Sequence, residues 1–111
     1  QFVSKILAQV SQNPSVMIVY QHLFSSEGSE LYVKPAHLYF GDAEQSWPQS
    51  LPFTHCVTSA QSRGELCLGV ILSKYWKESH ENFGIRLVPS LESIFELGQE
   101  DGLIVLAEDD T

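Results

Sequence analysis

The chain has 111 residues, enough for one domain with a single core that removes roughly two-thirds of its unfolded surface from water. Six basic against fourteen acidic residues leave a formal charge of −8, which argues against nucleic acid or an anionic lipid surface as a partner. Apolar residues are spread along the whole length, so general disorder is excluded, and no run approaches the ~20 residues of a membrane-spanning helix.

From the start, Phe2, Val3, Ile6, Leu7 and Val10 follow the spacing of a helix with one apolar face, predicting a helix over residues 2–12. Asn13-Pro14 ends it and can open another, with Asn13 as cap and Pro14 at the first helical position. The next stretch is rich in β-branched residues, yet Val16, Val19, Tyr20 and Leu23 recur at i, i+3, i+4, i+7, so a second helix is expected over 14–24. SSEG then breaks the pattern.

Leu31 and Val33 alternate with Tyr32 and Lys34, predicting a strand over 30–34. Pro35 interrupts it, and the following residues are read as an extension or a short edge piece. Pro48, Pro52 and Gly64 bracket a weakly patterned region, read as one short helix over 46–51 followed by loop. ELCLGVIL is apolar enough for a central strand, SKYWKESHENFG for a loop or hairpin connection, and IRLVP for another strand. LESIFELG is expected as a helical turn or irregular crossing, and LIVLA as the last strand. Helices first and short strands afterwards, with little βαβ alternation, indicate an α+β domain: N-terminal helices plus a mainly antiparallel sheet in two layers. Residues 1–26 are the helical part, and 27–111 the α+β part. The chain starts at Gln1 and stops directly after a strand-like run, so a piece of a longer protein is expected.

Chemistry-bearing patterns are sparse. No glycine-rich phosphate loop is present. Cys56 and Cys67 lie in no metal or redox spacing and are expected as reduced, buried thiols. His55-Cys56 are neighbours whose side chains diverge on an extended segment, and His22, His37 and His80 are scattered, so neither a nucleophile with its base nor a zinc set is read. Seven acids lie between Glu92 and Asp110 with no Lys or Arg among them. Glu108, Asp109 and Asp110 are the candidates for Ca²⁺ or another hard cation, but three contiguous acids lack the spaced ligands and glycine of a calcium loop. A solvated strand end is expected instead, and no metal or cofactor is assigned. Trp47, Tyr75, Trp76 and Phe83 form a possible partner surface, with Tyr75-Trp76, flanked by Lys74 and Lys77, expected to be exposed.

Three stretches together resemble one family. QVSQNPSVMIVYQHLFSSEGSELYVKPA (9–36) resembles the helix, N-P break, helix and E-x-Y-x-K strand of Castor and Pollux type ion channels and their bacterial relatives. GELCLGVIL (64–72) resembles the family's central strand, and FELGQEDGLIVLAEDDT (95–111) its closing strand with an A-E-D-D tail. The resemblance runs from about Leu7 to Thr111. It departs at the SKYWKESHENFG loop, which is longer, and at Asp101-Gly102, where relatives show Gly then Asp.

The resemblance implies the C-terminal lobe of a domain regulating potassium conductance, on the cytosolic side of a membrane channel. It implies a homo-oligomer, with this lobe pairing as a dimer within a tetrameric ring and residues 1–26 as a helical connector and dimerisation region. A nucleotide-like lobe and a pore domain would lie upstream in the same chain. Val16, Val19, Tyr20 and Leu23 are the candidate subunit contacts. The competing expectation is a stand-alone small-molecule sensing domain with a pocket using His37, Arg86 or Tyr75; an enzyme ranks last, since no constellation supplies nucleophile, base and oxyanion donors.

Overall fold

The computed structural model describes residues 30–41 and 46–108. The helices expected over 2–12 and 14–24, together with Val16, Val19, Tyr20 and Leu23, lie outside these residues, as do Asp109 and Asp110. In chain order the elements are β1 (Glu30–Pro35), α1 (His37–Phe40), β2 (Gln49–Pro52), α2 (Phe53–Gln61) and β3 (Leu66–Ile71). Two 3₁₀ segments, Ser73–Tyr75 and Ser79–Gly84, then lead to β4 (Ile85–Leu87), β5 (Ile94–Leu97) and β6 (Gly102–Ala107). The architecture is α+β, with every strand pair antiparallel.

β6 lies inside a four-stranded sheet ordered β1-β6-β3-β4. It is buried at all six positions, as expected for a strand flanked on both sides and carrying apolar residues on both faces. Glu30 opposite Ala107 and Pro35 opposite Gly102 fix its register with β1. Pro35 is the last strand residue, where its missing N–H interrupts no later rung. The β3–β6 register shifts between Cys67 and Gly69, a bulge at Leu68. Such an extra residue turns neighbouring side chains to different faces. Cys67 and Val70 join the cluster on one side of the sheet, and Leu68 the cluster on the other.

That first face is covered by α2 and by a separate two-stranded ribbon of β2 and β5. Phe53 of α2, Leu97 of β5, and Leu103 and Val105 of β6 are buried together, with Leu51 and Phe95 half-buried against them. Phe53 and Phe95 meet edge to face, centroids 6.5 Å apart, a favoured aromatic geometry. The second face carries Leu68, Ile85 and Ile104, ringed by Leu31, Leu66, Ile71 and Leu87.

Three expectations are corrected. The short helix expected over 46–51 is instead β2, and the helix comes after it, over Phe53–Gln61. Pro52 does not break this helix but stands just before it, extended at φ −68° and ψ 148°. The first helical N–H groups, which have no partner within a helix, donate to the Ser93 and Leu91 carbonyls. The same bonds hold the approach to β5 in place, so LESIFELG, expected as a turn, contains a strand with Phe95 and Leu97 directed inward. The residues after Pro35 form α1, a single helical turn, rather than an extension or edge strand. The expected strands at 30–34, within ELCLGVIL, within IRLVP and at LIVLA are all present, and the long loop between β3 and β4 joins an antiparallel pair.

Candidate functional site

Beneath α2, at the start of β3, the fold gathers the largest concentration of buried charge among the described residues. Lys34 on β1 is 2% exposed and Glu65, just before β3, is 8% exposed. β1 and β3 both pair with β6, and the alternation along β1 sends Tyr32 and Lys34 toward α2 while Leu31 and Val33 face the other way. Glu65 is delivered by the end of α2, where Gly64 adopts φ +74° and the Gly64 and Glu65 N–H groups donate to the Gln61 and Ala60 carbonyls. Such a left-handed glycine closes a helix without a Cβ penalty.

The contacts made there are short. Lys34 Nζ donates to Glu65 Oε2 at 2.6 Å, and Tyr39 Oη donates to Glu65 Oε1 at 2.6 Å. Arg63 Nε reaches Oε2 at 3.4 Å, and its guanidinium lies 5.3 Å from the Tyr39 ring centroid. Burial pushes the Glu65 carboxyl up, but hydrogen bonds from Lys34 and Tyr39, with the charges of Lys34 and Arg63, bring it below its ordinary value. Burial, and the hydrogen bond to Glu65, raise the Tyr39 phenol. One carboxylate thus holds two strands and α1 together through three donors. With its oxygens satisfied and Lys34 committed to it, the cluster is a structural lock rather than a nucleophile with a base.

The two thiols behave as expected from the sequence. Cys56 and Cys67 are both buried and free, pushed by burial up to about 11 and about 12 respectively. Thiols held neutral in this way are poor nucleophiles and poor metal ligands. His55 points outward from α2 while its neighbour Cys56 points inward, so the two diverge on a helix, as they would have on a strand.

A second feature lies at the other end of the sheet. An open depression of about 410 Å³ is lined by Pro48, Ser73, Lys74, Glu96, Gly98, Glu100 and Asp101. Its floor is organised by Asp101, whose carboxylate accepts from the Ser73 N–H and the Gly98 N–H, both at 2.8 Å. Ser73 Oγ in turn donates to the Glu100 carbonyl. Asp101 thereby ties the turn after β3 to the turn before β6, and at Gly102 after it a Cβ would stand only 3.0 Å from the Lys34 carbonyl oxygen. The order Asp101-Gly102 therefore has a local structural purpose.

The remaining sequence candidates are dispersed. Arg86 and Tyr75 meet, guanidinium to ring centroid 5.5 Å, but Arg86 also pairs with Glu81 at 2.6 Å, and neither lines the depression. His37 is on α1, beside β1 at the opposite edge of the sheet from β4. Trp47 is half-buried and donates to the Gly41 carbonyl at 3.0 Å. Trp76 is 63% exposed, with Lys77 4.6 Å from its ring centroid, whereas Tyr75 is half-buried. Glu108 is exposed at the end of β6. Among the described residues no group of three or more His, Cys, Asp or Glu side chains is placed to hold a metal, and no helix is long and apolar enough to cross a membrane.

Sequence reasoning missed the Lys34–Glu65–Tyr39 cluster entirely. The signal available was a lysine at an inward position of an alternating strand and a glutamate at the head of an apolar run, two charges that burial obliges to find partners. No family model matches the chain.

Proposed function

We propose that the chain is a cytosolic regulatory and assembly module of a ligand- or ion-gated cation channel of the potassium type, similar to the C-terminal lobe of a potassium-conductance regulatory domain. It pairs with a second copy and transmits gating rather than catalysing a reaction. The observation that supports this reading is the meeting of the three stretches that carry the Castor and Pollux resemblance. E-x-Y-x-K is β1, GELCLGVIL contains β3, and the closing strand is β6, adjacent in one sheet although far apart in sequence. The lysine of the first stretch pairs with the glutamate of the second at 2.6 Å, so two polar letters of the resemblance account for each other.

In this reading the apolar stripes of 2–12 and 14–24, with Val16, Val19, Tyr20 and Leu23, contact the partner copy. The upstream nucleotide-like lobe and the pore domain belong to the same chain, and the ring that results is tetrameric. Such a ring gates a pore when a ligand binds two of its arrangements with different affinity. A rigid sheet, locked through Glu65, is suited to passing on that displacement.

The depression at Ser73, Lys74, Glu96 and Asp101 favours a second reading, a stand-alone small-molecule sensor. Native mass spectrometry separates the two. The channel-module reading expects homodimers carrying no bound metabolite; a monomer with a stoichiometric metabolite would replace it with the sensor reading.

A further inference from the structure

Half of the exposed large apolar side chains among the described residues fall in one short stretch, where the chain leaves β4 and opens β5: Val88, Leu91 and Ile94 are 44%, 53% and 70% exposed. A single exposed apolar residue is ordinary, but several in one stretch mark a contact surface. The stretch is firmly held. Val88 donates its N–H to the Leu68 carbonyl at 2.7 Å, and the Leu91 and Ser93 carbonyls accept from Thr54 and Phe53 at the start of α2. Val88 takes φ +47°, a conformation that a β-branched residue adopts only under strain, and such strain collects at functional sites. On β5, Phe95 and Leu97 point into the core, which turns Ile94 and Glu96 outward together.

The charge along this stretch is of one sign. Glu92, Glu96 and Glu100 are exposed, and from Val88 to Thr111 there is no Lys or Arg. Lys74 lines the depression with Glu96, Glu100 and Asp101, so acids stay in excess there. Two copies meeting on this row would bring like charges together, and an anionic membrane would be repelled for the same reason. Nor does this chain hold a basic segment of its own to cover the row. Lys34 and Arg63 are engaged by Glu65, and Arg86 by Glu81. Lys74 and Lys77 stand against Tyr75 and Trp76 in the loop after β3, and Lys5 is the one basic residue outside the described ones.

We infer that the row Val88, Leu91 and Ile94 docks a basic amphipathic helix of a partner protein, with the helix's apolar stripe on the row and its flanking Lys or Arg side chains against Glu92 and Glu96. From Val88 to Ile94 the backbone spans at most about 20 Å, a length that a helix of about 14 residues covers. Apolar anchors at i, i+3, i+4 and i+7 are how such a helix seats. Because the row is already tied to β3 and α2, docking orders little of this chain. The inference goes beyond the channel-module and sensor readings and holds under either.

The probe is a synthetic peptide of about 14 residues, Leu and Lys arranged to give one apolar helical face, titrated into the isotope-labelled full chain. A scrambled peptide of the same composition is the control. Amide shift changes are expected to centre on Val88 to Glu96. Leu91→Ser with Ile94→Ser is expected to weaken binding about tenfold, and Glu92→Gln with Glu96→Gln to weaken it and lessen its salt dependence. These side chains are exposed, so the far-UV circular dichroism of both variants should match the parent. A scrambled peptide that binds as tightly, shift changes centred elsewhere, or variants that bind like the parent would each overturn the inference. Shift changes along the row on concentrating the chain alone would assign it to a second copy and overturn the inference as well.

Discussion

Glu65 is where a single side chain has the most influence on this molecule. Removing one partner of a buried ion pair leaves the other charge desolvated, at a cost of about 3–5 kcal/mol. Lys34→Met is therefore expected to lower stability by that order, read from the denaturant midpoint, while Lys34→Met combined with Glu65→Leu recovers much of the loss. The acid limb of the stability profile follows from the same contacts. Because the folded-state Glu65 lies below its ordinary value, its contribution is complete above the unfolded carboxyl value of about 4.3 and is lost as pH falls through the lower folded value. Glu65→Gln is expected to flatten the fall in stability below that pH; a limb unchanged in the variant would assign the acid sensitivity to other carboxyls. The two thiols act on the alkaline side with the opposite sign. Raised in the fold to about 11 for Cys56 and about 12 for Cys67, they favour the folded state fully below the unfolded thiol value of about 8.5. That contribution declines as pH rises from there toward the folded values.

At the scale of elements, the β3–β4 connection depends on backbone approach. Gly84 has φ +84°, and a Cβ there would stand 2.1 Å from the carbonyl oxygen of Leu72, the residue whose N–H donates to the Gly84 carbonyl. Gly84→Ala is thus expected to cost roughly 2–4 kcal/mol from combined strain and overpacking. Hydrogen exchange should localise the loss to β3 and β4; a variant as stable as the parent would contradict the close approach. The strands were legible where their pattern is local: alternation at 30–34 and the apolar runs at ELCLGVIL and LIVLA. β2 and β5 were not, because each is stabilised by a partner far along the chain and neither carries a full period of alternation. The helix over Phe53–Gln61 was legible in principle, since Phe53, Cys56, Val57 and Ala60 sit at i, i+3, i+4, i+7. Pro52 obscured it, because a proline beside the start of a helix reads equally as a start signal and as a break. The charged cluster was hidden for a related reason: Lys34 and Glu65 become neighbours only through β6, the strand between theirs.

The described residues form a sheet with one face closed by α2 and a two-stranded ribbon and an apolar cluster on the other. A charge-locked lobe of this kind can carry a contact surface without deforming, which is what assembly into the proposed ring would ask of it. The claim on which the proposed role depends is that the chain associates with itself through Val16, Val19, Tyr20 and Leu23. Sedimentation equilibrium over a wide concentration range tests it directly. The account predicts a concentration-dependent dimer that Leu23→Glu shifts to monomer while the far-UV circular dichroism is retained. A parent chain that stays monomeric at its highest soluble concentration would contradict it.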